Sequence, residues 1–283
     1  MIKIAFFGPW WTDCEQINKA YFQQTPDSKG IWGNIQAVSS FHDADYYIII
    51  QEDTKISQAL PSHKKIYIQR EPDTIIPNKV FNKNKGAYLA SFDNSYQFSV
   101  WWVEKNYDEL KQLQFPVKTK ALNTIQSLKQ NTTGQKLRTE FALNFKNKYP
   151  EAIDIYGSLN TINTERIKKL PLNKLESTIN YRYSFVAENS QQDNYFSEKI
   201  VDAYLSWSMP IYWGCPNILK YFPKDSLHII DITKKSALDD VFELSQKPLM
   251  QTNVEAINQA RSLILDTYNI WPSIHNIINN KLR

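Results

Sequence analysis

The stretch that most constrains this chain runs from Tyr181 to Pro216, YRYSFVAENSQQDNYFSEKIVDAYLSWSMPIYWGCP. Tyr181–Ala187 is short and aromatic-rich, which reads as a strand. Glu188–Asn194 is polar and without period, which reads as a loop. Ser197–Trp207 places Ile200, Ala203, Tyr204 and Trp207 at helical spacing. Met209–Trp213 is a brief apolar run closed by Gly214, a second strand. Strand, helix and strand form a βαβ unit, and such a unit requires a parallel sheet with a right-handed crossover. The chain is therefore expected to be an α/β protein.

The helix of this unit starts with Ser197 as its N-cap, followed by Glu198 and Lys199. A helix N-terminus offers unpaired N–H groups and a partial positive charge, which suits a phosphate, and Lys199 adds a full charge there. Glu198 cannot bind phosphate, but it can accept hydrogen bonds from sugar hydroxyls. A carboxylate on a ribose and an ammonium on a diphosphate together suit a nucleotide. A capped amphipathic helix with two solvated charges has the same pattern, so the residues by themselves leave both readings open.

Composition excludes several classes. At 283 residues the chain can bury one large core or two medium ones. Hydrophobic residues make up 42% and charged residues 22%, ordinary values for a globular protein rather than a disordered one. The net charge of +4 is mild and the lysines are scattered, so no nucleic-acid-binding module is expected. The excess is compatible with a nucleotide-sugar donor or with peripheral contact to an anionic membrane surface. Cys14 and Cys215 have no metal-ligand spacing and suit free thiols in a reducing compartment. The opening MIKIAFFG is too short to span a bilayer and lacks a signal-peptide pattern.

Taken in order, Ile2–Phe7 reads as a first strand ending at Gly8-Pro9, with Trp10 and Trp11 at its C-terminal end. In open α/β sheets that edge binds ligands, so the Trp pair is either a sugar platform or a capped edge of the core. Ile31–Ser39 reads as a helix or a turn. DYYIII (45–50) and KIYIQ (65–69) read as buried strands. The second leads into Arg70-Glu71-Pro72-Asp73, which puts an acid in a proline-stiffened loop, a place where catalytic groups concentrate. Gly86–Trp102 completes the first sheet, and 103–120 reads as an irregular linker. Ala121–Lys129 opens a second sheet, and Lys136–Lys148 is helical, with Leu137, Phe141 and Phe145 on one face. This puts Arg138 in a first helical turn, where a cation is slightly unfavourable unless a bound anion compensates. Ile153–Gly157 and LHIID (227–231) read as further strands, with His228 structural. Ser236–Ser245, Asn253–Tyr268 and the tail from Ile270 read as helices.

Glu188-Asn189-Ser190, Tyr195-Phe196-Ser197-Glu198-Lys199-Ile200, Ala203-Tyr204 and Pro210-Ile211-Tyr212-Trp213-Gly214 resemble the signature of glycosyltransferase family 10, the α-1,3/1,4-fucosyltransferases. The resemblance implies the GT-B fold, two Rossmann-like domains with parallel sheets facing across a cleft. On this division residues 1–117 bind the acceptor, 118–265 bind the GDP-sugar, and 266–283 form a helix packing back on the first domain. It implies an inverting transfer of L-fucose from GDP-fucose to a glycan hydroxyl, α-1,3 to GlcNAc or Glc of a surface oligosaccharide, with no cofactor or metal required. It implies Glu71 as general base, although Arg70 and Pro72 depart from the family's pattern. It places Arg138, Lys199, Glu198, Asn189, Tyr195 and Glu188 around the donor, with Trp10 and Trp11 at the acceptor. Animal members of the family carry an N-terminal membrane anchor. The opening of this chain implies a cytoplasmic enzyme instead, at most at the inner face of the membrane. Two alternatives stay open: a transferase of the same fold using another GDP-sugar, and a carbohydrate-binding protein that has lost catalysis. Oligomeric state stays open as well.

Overall fold

The computed structural model describes residues 1–9, 14–75, 86–92, 97–127, 129–157 and 167–282; Trp10 and Trp11 lie outside them. The chain forms two compact units. The first comprises Met1–Val100, Lys105–Gln112 and Leu265–Arg283, and the second Trp101–Glu104 and Leu113–Ile264.

The first unit holds strands β1 (Ile2–Phe7), β2 (Ile31–Trp32), β3 (Ile35–Ala37), β4 (Tyr46–Ile50), β5 (Lys65–Ile68) and β6 (Tyr88–Ala90), in the order β2-β3-β1-β4-β5-β6. Its helices are α1 (Cys14–Phe22), α2 (Lys55–Gln58) and α3 (Tyr107–Gln112). All pairs are parallel except β2 with β3. The five parallel strands follow the doubly wound order 2-1-3-4-5. Side chains alternate between faces along a strand, and here both faces are buried. Ile4, Phe6, Ile48, Ile50, Ile66 and Ile68 point to one core, and Ala5, Phe7, Tyr47, Ile49 and Tyr67 to the other.

The second unit holds β7 (Lys120–Gln126), β8 (Ile153–Gly157), β9 (Ile167–Lys169), β10 (Tyr181–Ala187), β11 (Met209–Trp213) and β12 (His228–Ile229). Its helices are α4 (Thr133–Lys148), α5 (Glu198–Leu205), α6 (Ala237–Gln246) and α7 (Gln251–Leu263). The sheet is wholly parallel in the order β12-β11-β10-β7-β8-β9, which is the Rossmann order 3-2-1-4-5-6 counted within the unit. Two Rossmann-like units on one chain make an α/β protein of the GT-B fold. The last helix, α8 (Ile270–Lys281), belongs to the first unit. It buries Ile270, Trp271, Ile274, Ile277 and Ile278 against the first sheet, and the Trp271 indole donates to the Tyr21 carbonyl at 3.0 Å. Burying one such side chain is worth about 1.5–3 kcal/mol, which is what holds the tail in this core.

Several local expectations are corrected. Ile31–Ser39 is neither helix nor simple turn but the hairpin β2–β3, closed by Gly33-Asn34. Gly33 has φ +57°, and a Cβ there would lie 2.7 Å from Nε2 of His275. The segment read as a linker contains α3, whose Leu110 is buried in the first unit. Helix α4 starts at Thr133, three residues early, because Thr132 and Gln135 form a capping box. LHIID contributes only a two-residue strand, and β9 was not expected at all. The helix read to Tyr268 ends at Leu263 and continues as a π-helical turn, Ile264–Tyr268.

Candidate functional site

Strand order in the second sheet reverses between β7 and β10. The chain leaves these neighbours in opposite directions, which opens a crevice at their C-terminal ends where ligands of α/β sheets bind. The loop after β7 runs from Ser127 to the α4 cap, where Thr132 Oγ1 accepts from the Gln135 N–H at 3.1 Å. The loop after β10 begins Glu188-Asn189-Ser190. The two loops are joined, since the Thr132 hydroxyl donates to the Asn189 carbonyl at 2.9 Å. Gly134 is obligatory at this crossing because a Cβ would collide with that same carbonyl.

Arg138 is corrected from the first turn of its helix to the second, so the helix dipole no longer argues for an anion there. Its position does. Arg138 is 3% exposed, and its guanidinium bridges the two strand ends, donating to the Ala187 carbonyl at 3.3 Å and to Ser127 Oγ at 2.8 Å. Hydrogen bonds to both strand ends hold this buried cation at the switch point.

The start of α5 is built on Glu188. This acid is fully buried; the Ser197 N–H donates to its Oε1 at 2.9 Å and the Ser197 hydroxyl to its Oε2 at 2.7 Å. Gly214, at the end of β11, makes room for it, since a Cβ there would lie 2.5 Å from Glu188 Cγ. Ser197 in turn caps α5 and accepts from Lys199 Nζ at 3.0 Å. Lys199 Nζ also lies 3.1 Å from Glu198 Oε1 and 3.6 Å from Glu188 Oε2. Burial raises the Glu188 carboxyl above its usual range, with the Lys199 charge opposing. For Lys199 burial works against the charge, but the Glu198 and Glu188 carboxylates outweigh it and raise the ammonium, while Arg138 repels it. The Lys199 ammonium is thus held beside two carboxylates at the start of α5, and Arg138 is held at the neighbouring strand ends.

Tyr195 and Asn189 are buried, while Glu198 and Lys199 are half-buried. Glu188 has no exposed surface, so its visible work is holding the loop onto Ser197. Sequence reasoning overlooked Ser127, Thr132 and Gly134. The Thr-x-x-Gln cap could have pointed to the second and third; nothing local pointed to Ser127. In the first unit Glu71 lies just beyond β5, half-buried, with Pro72 buried behind it. His228 stacks on Tyr183 with ring centroids 6.1 Å apart, and burial lowers its pKa. Among the described residues no group of three or more His, Cys, Asp or Glu could hold a metal ion, and no helix is long and apolar enough to cross a membrane.

Residues 115–248, just under half of the chain, match the family model described as glycosyltransferase family 10 (fucosyltransferase), C-terminal. A stretch of 60 residues is 43% identical to alpha-(1,3)-fucosyltransferase FucT of Helicobacter pylori; it is 21% of this chain and 13% of that protein. A crystal structure of an alpha1,3-fucosyltransferase superposes with a TM-score of 0.53 at 17% identity, covering 99% of this chain and 90% of that one. At that identity the superposition speaks for the fold. The family model spans β7 to α6, and so every residue of the switch point described above. Residues 115–248 thus match the C-terminal region of glycosyltransferase family 10, and the chain is similar to an alpha-(1,3)-fucosyltransferase over 60 residues.

Proposed function

We propose that this chain is an inverting fucosyltransferase that moves L-fucose from GDP-fucose to a hydroxyl of a glycan acceptor. The observation that carries the reading is two cations at the switch point of a Rossmann sheet, Arg138 across the strand ends and Lys199 at the start of α5 with Glu198 beside it. The diphosphate of the donor meets the two cations, and Glu198 accepts from the ribose hydroxyls. Asn189 and Tyr195 line the nucleotide site, and Glu188 sets the loop that carries them. In the transfer, the acceptor oxygen forms a bond to the anomeric carbon. The bond from that carbon to the diphosphate oxygen breaks, and its electron pair leaves with GDP. Glu71 takes the hydroxyl proton. Arg138 and Lys199 stabilise the charge that grows on the leaving diphosphate, and because they are held in place beforehand they need little rearrangement at the reacting moment. The acceptor of the reading is a GlcNAc or Glc residue of a surface oligosaccharide, fucosylated at O3, with Trp10 and Trp11 among its contacts.

Calorimetric titration tests the donor site. GDP is expected to bind, UDP to bind more weakly, and Glu198→Ala to lose GDP affinity without losing affinity for guanine fragments lacking the ribose. GDP affinity unchanged in Glu198→Ala would remove the acid from the ribose, and equal affinity for GDP and UDP would remove the base preference.

A further inference from the structure

Gln51 follows β4 directly, and 99% of its surface is buried or, equivalently, it is 1% exposed. Its backbone has φ +70°, in the left-handed region that a glutamine rarely enters. Such a conformation is strained and persists where the surroundings impose it. The side chain shows what is gained. Its amide oxygen accepts from two consecutive backbone N–H groups, those of Arg70 at 2.7 Å and Glu71 at 2.8 Å. On the adjoining strand end Gln69, also 1% exposed, donates through Nε2 to the Glu71 carbonyl at 3.2 Å and to Asp73 Oδ1 at 2.7 Å. Two buried amides on neighbouring parallel strands therefore grip the peptide groups on both sides of one Cα, that of Glu71. The residue in the left-handed region is the one that makes two of these contacts.

We infer that Gln51 is a positioning residue for Glu71, fixing the direction in which that carboxylate leaves the sheet edge, with Gln69 as the second half of the clamp. This rests on the reading of Glu71 as general base. A shift of about 1 Å in a reacting group can lower a rate by about 100-fold, which is the scale on which such a clamp acts.

Three variants are compared with the wild type in transfer kinetics, GDP binding and thermal melting. Gln51→Leu is expected to lose about 10- to 100-fold in kcat, with GDP affinity and acceptor KM changed less than threefold. Gln51→Glu keeps an oxygen for both N–H groups and is expected to recover most of kcat. Its added charge beside Glu71 is expected to move the acid limb of the pH–rate profile to higher pH. Wild-type kcat in Gln51→Leu, or loss of kcat and GDP affinity together, would overturn the inference. If Gln51→Leu does not fold, the pH shift in Gln51→Glu decides, and an unmoved limb overturns it. Glu71→Gln separates the two claims: full turnover there overturns the base itself, whereas a dead Glu71→Gln beside a fully active Gln51→Leu overturns only the clamp.

Discussion

Glu188 lies just beyond β10 of the second sheet and Glu71 just beyond β5 of the first, so two parallel strand ends each deliver an acid. Their surroundings treat it differently. Glu188 is fully buried and both of its oxygens are taken by Ser197, so the carboxylate itself is the building material of the loop. At Glu71 the grip is on the backbone, through Gln51 and Gln69, and the side chain is half-buried. An acid used up by its own loop is suited to architecture. A clamp on the peptide groups fixes where the Glu71 Cα sits.

The largest expected effect breaks that contrast at Glu71. Glu71→Gln should lower transfer about 10²- to 10⁴-fold and leave GDP affinity within error, because Gln keeps shape and reach but cannot take the proton. Steady-state turnover and calorimetry on the same preparation check it; lost GDP binding would make Glu71 a structural acid like Glu188.

Next in size are the cations. Lys199→Ala and Arg138→Ala should each weaken GDP binding by about 1.5–3 kcal/mol, the value of a hydrogen bond to a charged group. Arg138→Ala should also lower the melting temperature, since its bonds to Ala187 and Ser127 join two strand ends, whereas Lys199→Ala should lower it less. Unchanged affinity in both variants would leave the diphosphate without its site.

Glu188→Ala sharpens the comparison from the other side. It leaves the Ser197 N–H buried without its acceptor, at a cost of about 1–3 kcal/mol in stability. Melting temperature and GDP affinity should fall together, because the Ser197 that Glu188 holds also supports Lys199. A loss of turnover with stability intact would mean that Glu188 acts on the substrate directly.

The smallest effect is a control at the opposite edge of the second sheet. Asp154 meets Lys168 at 2.7 Å, Tyr181 at 2.5 Å and Lys120 at 3.1 Å. Burial alone would raise its carboxyl, but these partners outweigh it and hold it down to about 2. A folded pKa below the unfolded value of about 3.9 means stability that is complete above about pH 4 and lost as pH falls toward 2. Asp154→Asn should therefore flatten the acid-dependent fall in melting temperature over that window and leave GDP affinity at neutral pH unchanged. Parallel curves for the two proteins would show the ion cluster contributes no linkage.

Much of the second unit was legible because its signals are local. Tyr181–Ala187 is read at its observed bounds from aromatic content, and Ser197 is read as a cap from the residue type before an apolar period. Helix α4 was read three residues late although Thr132 and Gln135 stand at capping-box spacing. The β2–β3 hairpin was overlooked although Gly33-Asn34 is a two-residue turn signal. Strand β9 was overlooked for a different reason: three residues at a sheet edge, two of them exposed lysines, carry no period. The burial of Glu188 and the grip of Gln51 on Glu71 were not legible at all. Each depends on a side chain meeting a backbone nine to twenty residues away, and only the assembled sheet edge brings those groups together.

The central claim, fucosyl transfer from GDP-fucose, is tested most directly by incubating the protein with GDP-fucose and an oligosaccharide ending in GlcNAc. The glycan is then followed by mass spectrometry, with GDP-mannose in a parallel reaction. The glycan is expected to gain one deoxyhexose with one GDP released from the donor per transfer, GDP-mannose to give no product, and Glu71→Gln to abolish the gain. Hexose transfer from GDP-mannose with none from GDP-fucose would contradict it.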